Sequence, residues 1–223
     1  MTALVTEKEF IIKNQIFTFK TYSSKPEGSH KQIKQVHGRE VLLLKEAHED
    51  IAADGIYTLF QDNIYKNTTL NILTADCLPV ALMGENGMAM IHAGWKGLKL
   101  GILKNPKLSQ LKPSKAFLGP HIGKCCYQVS DDFFENFPKS PRYFPKKGSS
   151  PHFCLKSEAT NQLKSVFPGI DVESSRKCSM CKKSLNSYRR DKTNQRNWNT
   201  LEKRSLSSNV FKAGARPNGS TSV

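Results

Sequence analysis

The chain has 223 residues, 38% of them hydrophobic, which is enough to bury a core within one domain. No stretch approaches the roughly 20 apolar residues of a membrane helix, and no secretory apolar region opens the chain, so a soluble cytoplasmic protein is expected. The net charge of +15 is uneven: from Arg176 onward, 12 Lys and Arg face two acids, Asp191 and Glu202.

In chain order, Phe10–Ile12 and Ile16–Tyr22 read as a hairpin with Asn14 at its turn. Short apolar or β-branched runs follow at Val41–Leu44, Ile56–Leu59, Leu70–Leu73, Val80–Met83, Met88–Ile91 and Ala116–Leu118. Glu85-Asn86-Gly87 predicts a tight turn, making its flanking runs a second hairpin. Gly97–Leu103 predicts a helix cut off before Pro106, and Asp131–Phe137 a short one. Residues 138–151, rich in Pro, Lys, Gly and Ser, read as a surface loop. Ser157–Phe167 is the clearest helix, stopped by Pro168-Gly169. Strands dominate, so the expected class is α+β, mixed β-sheets with few helices. Periodicity is lost after Arg204. Residues 1–204 are therefore expected to form one catalytic domain, and 205–223 a basic, disordered tail.

The six cysteines would stay reduced in the cytosol, as buried apolar groups, metal ligands or nucleophiles. Cys154 and the adjacent Cys125-Cys126 are read as packing residues. Cys178-x-x-Cys181 has a metal or redox spacing but no second such pair, so it is read as incidental. Three other segments carry more chemistry: Gln35-Val36-His37-Gly38, Thr74-Ala75-Asp76-Cys77-Leu78-Pro79 and His92-Ala93-Gly94-Trp95-Lys96-Gly97. Each puts a ligand type, His37, Cys77 or His92, at or near a strand end. Two imidazoles and a thiolate suit zinc, and three protein ligands leave one tetrahedral position open, as catalytic sites do. Spacing alone does not group them.

These segments, with Leu118–Val129 and Ser187–Asn199, resemble the multicopper polyphenol oxidase (laccase-like) family, also described as purine nucleoside phosphorylase or peptidoglycan-editing-factor proteins. The match runs in order from about residue 30 to 200. The resemblance implies a four-layer α/β/β/α sandwich related to bacterial cysteine-hydrolase toxins. It implies His37, Cys77 and His92 as metal ligands. It further implies phosphorolysis of adenosine, inosine and methylthioadenosine, with adenosine deamination beside it. Lys96 stands where the family usually has arginine; it keeps the charge and gives up the bidentate fork. The stretch Leu103–Lys115 is shortened, and with it one surface helix.

Phosphorolysis calls for a small-molecule pair, purine nucleoside and phosphate. Arg189, Arg190 and Lys96 are the candidate anion holders, of which one arginine is expected to act. Tyr188 is a candidate for stacking. Asp76 and His121 are candidates for proton transfer, with turn-capping and surface roles as their plainer readings. A Cys-His amide hydrolase acting on a peptidoglycan precursor uses the same three residues, with Cys77 as nucleophile. A copper polyphenol oxidase ranks last, because six histidines with no His-x-His pair cannot ligate four coppers; copper could still enter the one site. Nucleic acid is not an expected partner, since the basic tail carries few aromatics and no recognised motif.

Overall fold

Two β-sheets packed face to face organise the computed structural model, which describes residues 2–13, 15–28, 32–61 and 68–205. The first sheet is four-stranded, in the order β1 (Leu4–Ile12), β2 (Gln15–Tyr22), β10 (Asn197–Ser205), β5 (Thr69–Thr74), all antiparallel. The second is mixed and six-stranded: β3 (Val41–Leu43), β4 (Gly55–Leu59), β7 (Gly87–Ala93), β6 (Leu78–Gly84), β8 (Pro113–Leu118), β9 (Asp171–Ser174). Its β3–β4 and β8–β9 pairs are parallel. The α+β class with mixed sheets and few helices is therefore the observed one. Among the described residues no helix is long and apolar enough to cross a membrane.

The β6–β7 hairpin is the wall between two cores. All its strand residues are buried, because successive side chains serve opposite faces. Leu78, Val80, Leu82, Ala89, Ile91 and Ala93 join the core on the helical side, with Leu108, Leu111 and Leu163. Ala81, Met83, Met88 and Met90 join the core between the sheets, with Phe17, Phe19, Ile72 and Leu201. The opposite face of the first sheet is polar: Lys20 bridges Glu7 and Glu202, and Arg204 reaches Glu9.

Helix α2 (Leu155–Val166) buries Leu155, Ala159 and Leu163, one face at four-residue spacing, against the six-stranded sheet. Its Gln162 donates to the Leu98 carbonyl and pins it to α1 (Trp95–Lys99). The helix expected at 97–103 is split. α1 stops as Gly101 turns left-handed (φ 74°), and Ile102–Lys104 and Pro106–Leu111 form separate 3₁₀ turns. Asp132–Asn136 is likewise 3₁₀. β9, β10 and the one-turn α3 (Tyr188–Asp191) were not anticipated. The first hairpin forms, but Asn14 lies outside the described residues. So does the expected tail, except that the backbone of Ser205 still pairs with Gln15.

Candidate metal centre

His37, Cys77 and His92 reach one point from three parts of the fold, their ligand atoms within 4.8 Å of one another. His92 belongs to β7 and shares the face of Met88 and Met90, towards the other sheet. Cys77 lies between β5 and β6, where the chain crosses from one sheet to the other. His37 sits in the loop before β3 with a left-handed backbone (φ 61°). Its ring meets that of His92 edge-on, with centroids 4.7 Å apart. Gly94 allows this closeness: a Cβ there would stand 3.1 Å from Cys77 Sγ and 3.2 Å from the His37 ring.

The organising group is Asp54, fully buried at the start of β4. One carboxylate oxygen accepts from His37 N–H (2.9 Å) and meets His92 Nδ1 at 2.8 Å. The other accepts from Gly38 N–H (2.6 Å) and Val36 N–H (3.3 Å). Three backbone donors offset the strain of the left-handed turn, and the carboxylate fixes the imidazole so that Nε2 is free towards Cys77. Burial disfavours the Asp54 charge, but the bonds from His92 and Gly38 outweigh it and hold the carboxyl below its usual range. Sequence reading missed Asp54. An acid directly before the apolar run of β4 was the available signal.

Burial pushes the Cys77 thiol up, yet the His92 charge and hydrogen bonds from both histidines bring it down to about 6. Burial opposes the His92 charge as well, and the Cys77 thiolate with Asp54 raises it to about 9. Without metal the pair is thus a thiolate beside an imidazolium. The donor set fits a metal of the zinc or copper kind: two imidazoles, one oriented by a carboxylate, and a thiolate.

The cluster forms the floor of a cavity of about 480 Å³ lined also by Gln35, Trp95, Tyr127, Tyr188, Arg189 and Arg196. Of the sequence candidates, Asp76, Tyr188 and Arg189 line it. Arg190 and Lys96 do not line it. Arg190 is committed to the carbonyls of Ser179, Met180 and Leu185 and to Asp191; Lys96 lies exposed on α1, over the Trp95 ring. Asp76 accepts from Ser179 Oγ and from Arg189 N–H, both at 2.6 Å, so its carboxylate ties segments together. His121 is buried, not on the surface, and faces the Gly119 carbonyl at 2.8 Å; burial pushes it down to about 4. Gln35 pins the end of β5 through Leu73, and Arg196, unforeseen, adds a second cation to the cavity.

Cys154 is only partly buried, next to Ser157. The incidental reading of Cys178-x-x-Cys181 is corrected, because Cys125 and Cys126 stand beside that pair and form a second cluster of four thiols.

A family model described as multi-copper polyphenol oxidoreductase laccase matches residues 6–200. A protein of Aquifex aeolicus named purine nucleoside phosphorylase is 30% identical over 194 residues, 84% of this chain and 88% of its own. The Escherichia coli purine nucleoside phosphorylase YfiH is 31% identical over 176 residues, 74% of this chain and 70% of its own. Among solved structures, a Neisseria meningitidis protein of the DUF152 family aligns with a TM-score of 0.74 at 21% identity, covering 91% of this chain and 99% of its own. YlmD from Geobacillus stearothermophilus aligns at 0.67 and 20% identity, covering 86% and 93%. At such identities the structural likeness speaks to the fold alone.

Proposed function

The chain belongs to the multi-copper polyphenol oxidoreductase laccase family, and on that premise we propose that it is a metal-dependent purine nucleoside phosphorylase. Its substrates are adenosine, inosine and methylthioadenosine, with adenosine deamination as a companion activity. The catalytic unit spans residues 1–204, and the resident ion is zinc, with copper able to replace it. The names of the relatives support the reaction class. The observation that carries the reading is the meeting of a His₂Cys donor set with Arg189 and Arg196 in one cavity of nucleoside size.

Within this reading His37, Cys77 and His92 hold the ion, which when bound supplies Lewis acidity at the cavity floor. Arg189 binds phosphate. Its guanidinium donates to the Gln128 carbonyl at 3.0 Å and lies 5.5 Å from the Tyr127 ring centroid, so it is pre-oriented. Arg196 adds a second positive charge to the lining. Trp95, Tyr127 and Tyr188 present flat faces for purine and ribose. Asp76 acts as a positioning residue: it fixes the backbone of Arg189 rather than carrying a proton. Lys96 and Arg190 have no role in phosphate binding here.

Zinc-loaded protein should convert adenosine and phosphate into adenine and ribose 1-phosphate, with some inosine, as read by chromatography. No turnover beside a working control phosphorylase would sink the proposal. One observation favours a second reading. Cys77 held at about 6 beside a charged His92 is a ready nucleophile pair for amide hydrolysis. Activity on a peptide amide that survives chelation and is abolished by a thiol reagent would select it.

A further inference from the structure

The second thiol cluster stands apart from the cavity and is not used by the proposed reaction. Cys125 and Cys126 lie in the loop after β8, and Cys178 and Cys181 in the loop after β9. Their four sulfurs lie within 4.8 Å of one another. Cys126 Sγ is 3.3 Å and Cys125 Sγ 3.8 Å from Cys181 Sγ. A tetrahedral zinc with Zn–S bonds of about 2.3 Å sets its sulfurs about 3.8 Å apart. All four cysteines are free, and a disulfide would need a sulfur pair at about 2 Å and would leave two thiols idle.

Burial raises the Cys125 and Cys126 thiols, while at Cys178 burial is outweighed by backbone donors, which lower the thiol. Gly123 N–H donates to Cys178 Sγ at 3.2 Å. Lys182 N–H donates to the Cys178 carbonyl at 2.9 Å and closes the Cys-x-x-Cys turn. The Arg190 guanidinium, paired with Asp191, donates to the carbonyls of Ser179 and Met180, inside that turn, and lies near enough to Cys178 to interact with it electrostatically. This accounts for Arg190, which the cavity leaves unused.

We propose that Cys125, Cys126, Cys178 and Cys181 bind a structural zinc ion, separate from the His37–Cys77–His92 centre. Four protein ligands close the coordination shell, so this ion performs no chemistry on substrate. It staples two loops. One brings Ile122 and Tyr127 to the cavity, and the other leads into α3, which brings Tyr188 and Arg189. The proposal does not depend on which reaction the cavity performs.

The test is a metal count on protein purified and reconstituted with zinc under reducing conditions. The wild type should hold two zinc ions per chain, the His37→Ala/Cys77→Ala variant one, and the Cys178→Ser/Cys181→Ser variant one. Cobalt loaded into His37→Ala/Cys77→Ala should give the intense thiolate-to-metal charge transfer of a tetrathiolate site. Adding Cys125→Ser should weaken that band by about a quarter. If Cys178→Ser/Cys181→Ser fails to fold, the cobalt spectrum still decides. A metal-free His37→Ala/Cys77→Ala protein after reconstitution, or a Cys126–Cys181 disulfide in freshly quenched wild type, overturns the proposal.

Discussion

At the scale of single residues, Asp54 decides most about the metal centre. It touches no substrate, yet it orients His92 and supports the left-handed turn at His37. Asp54→Asn keeps the size, removes the charge that fixes the imidazole and turns one accepting oxygen into a donor. Metal affinity should fall about 10- to 100-fold, as measured by competition with a chromophoric chelator. An unchanged affinity would mean that the carboxylate serves only the loop. Protons give a second reading of the same group. Between about pH 6 and 9 the Cys77–His92 pair carries one proton that metal must displace. His92 is raised, so it is protonated below about 9, and each unit of falling pH should weaken binding about tenfold through that window. Above about 9 the dependence should flatten. In the Cys178→Ser/Cys181→Ser background, where only this centre takes metal, titration calorimetry in buffers of different ionisation enthalpy should find one proton released per ion at pH 7.5, and a count of none would contradict the thiolate–imidazolium pair.

At the scale of elements, what the sequence disclosed follows from how one-sided each segment is. The β6–β7 hairpin was plain, because two apolar runs flank Glu85-Asn86-Gly87 and both faces of each strand are buried. β9 and β10 were not, because they mix apolar with polar residues; Asn197, Asn199 and Thr200 are buried through partners that only the fold supplies. Asn199, for example, is satisfied by Thr21, Ile72 and Thr74. The three candidate ligands were picked out by residue type near strand ends and grouped through the resemblance. Asp54 and the four-thiol cluster were missed because their partners lie 38 and about 55 residues away. One element shows how backbone contact constrains such a hairpin. Gly84 ends β6 against the Pro106–Leu111 turn, where a Cβ would press on the Leu111 carbonyl oxygen and stand 2.6 Å from that of Lys112. Neither atom can rotate away. The hairpin turn itself hangs on those carbonyls, through Asn86 N–H to Leu111 (3.1 Å) and Glu85 N–H to Lys112 (3.4 Å). Gly84→Ala should therefore cost about 3 kcal/mol in urea denaturation. A change below about 0.5 kcal/mol would show that the turn yields freely.

At the scale of the whole molecule, part of the positive charge is put to use inside the fold. Lys177 reaches across to the carbonyl of Val5 and the hydroxyl of Thr6 in β1, Arg190 holds the Cys-x-x-Cys turn, and Arg189 and Arg196 face the cavity. Among the described residues of the basic region, Lys177 ties the segment after β9 to β1. The candidate metal centre sits where the two sheets meet, its three candidate ligands coming from the loop before β3, the crossing between the sheets and β7. An ion bound there has no counterpart in the unfolded chain, so its binding energy is folding energy. With free metal at about a thousand times the dissociation constant, the native state gains about 4 kcal/mol. For a chain of this size each kcal/mol shifts the melting temperature by about 2–4 °C. In the Cys178→Ser/Cys181→Ser background, where only the His37–Cys77–His92 centre takes metal, chelation should lower the melting temperature by about 10 °C. Readdition of zinc should restore it and calcium should not, because two imidazoles and a thiolate offer calcium no oxygen ligand. Equal melting temperatures with and without zinc in that background would mean that the three ligands stand close without binding an ion strongly enough to hold the sheets' junction.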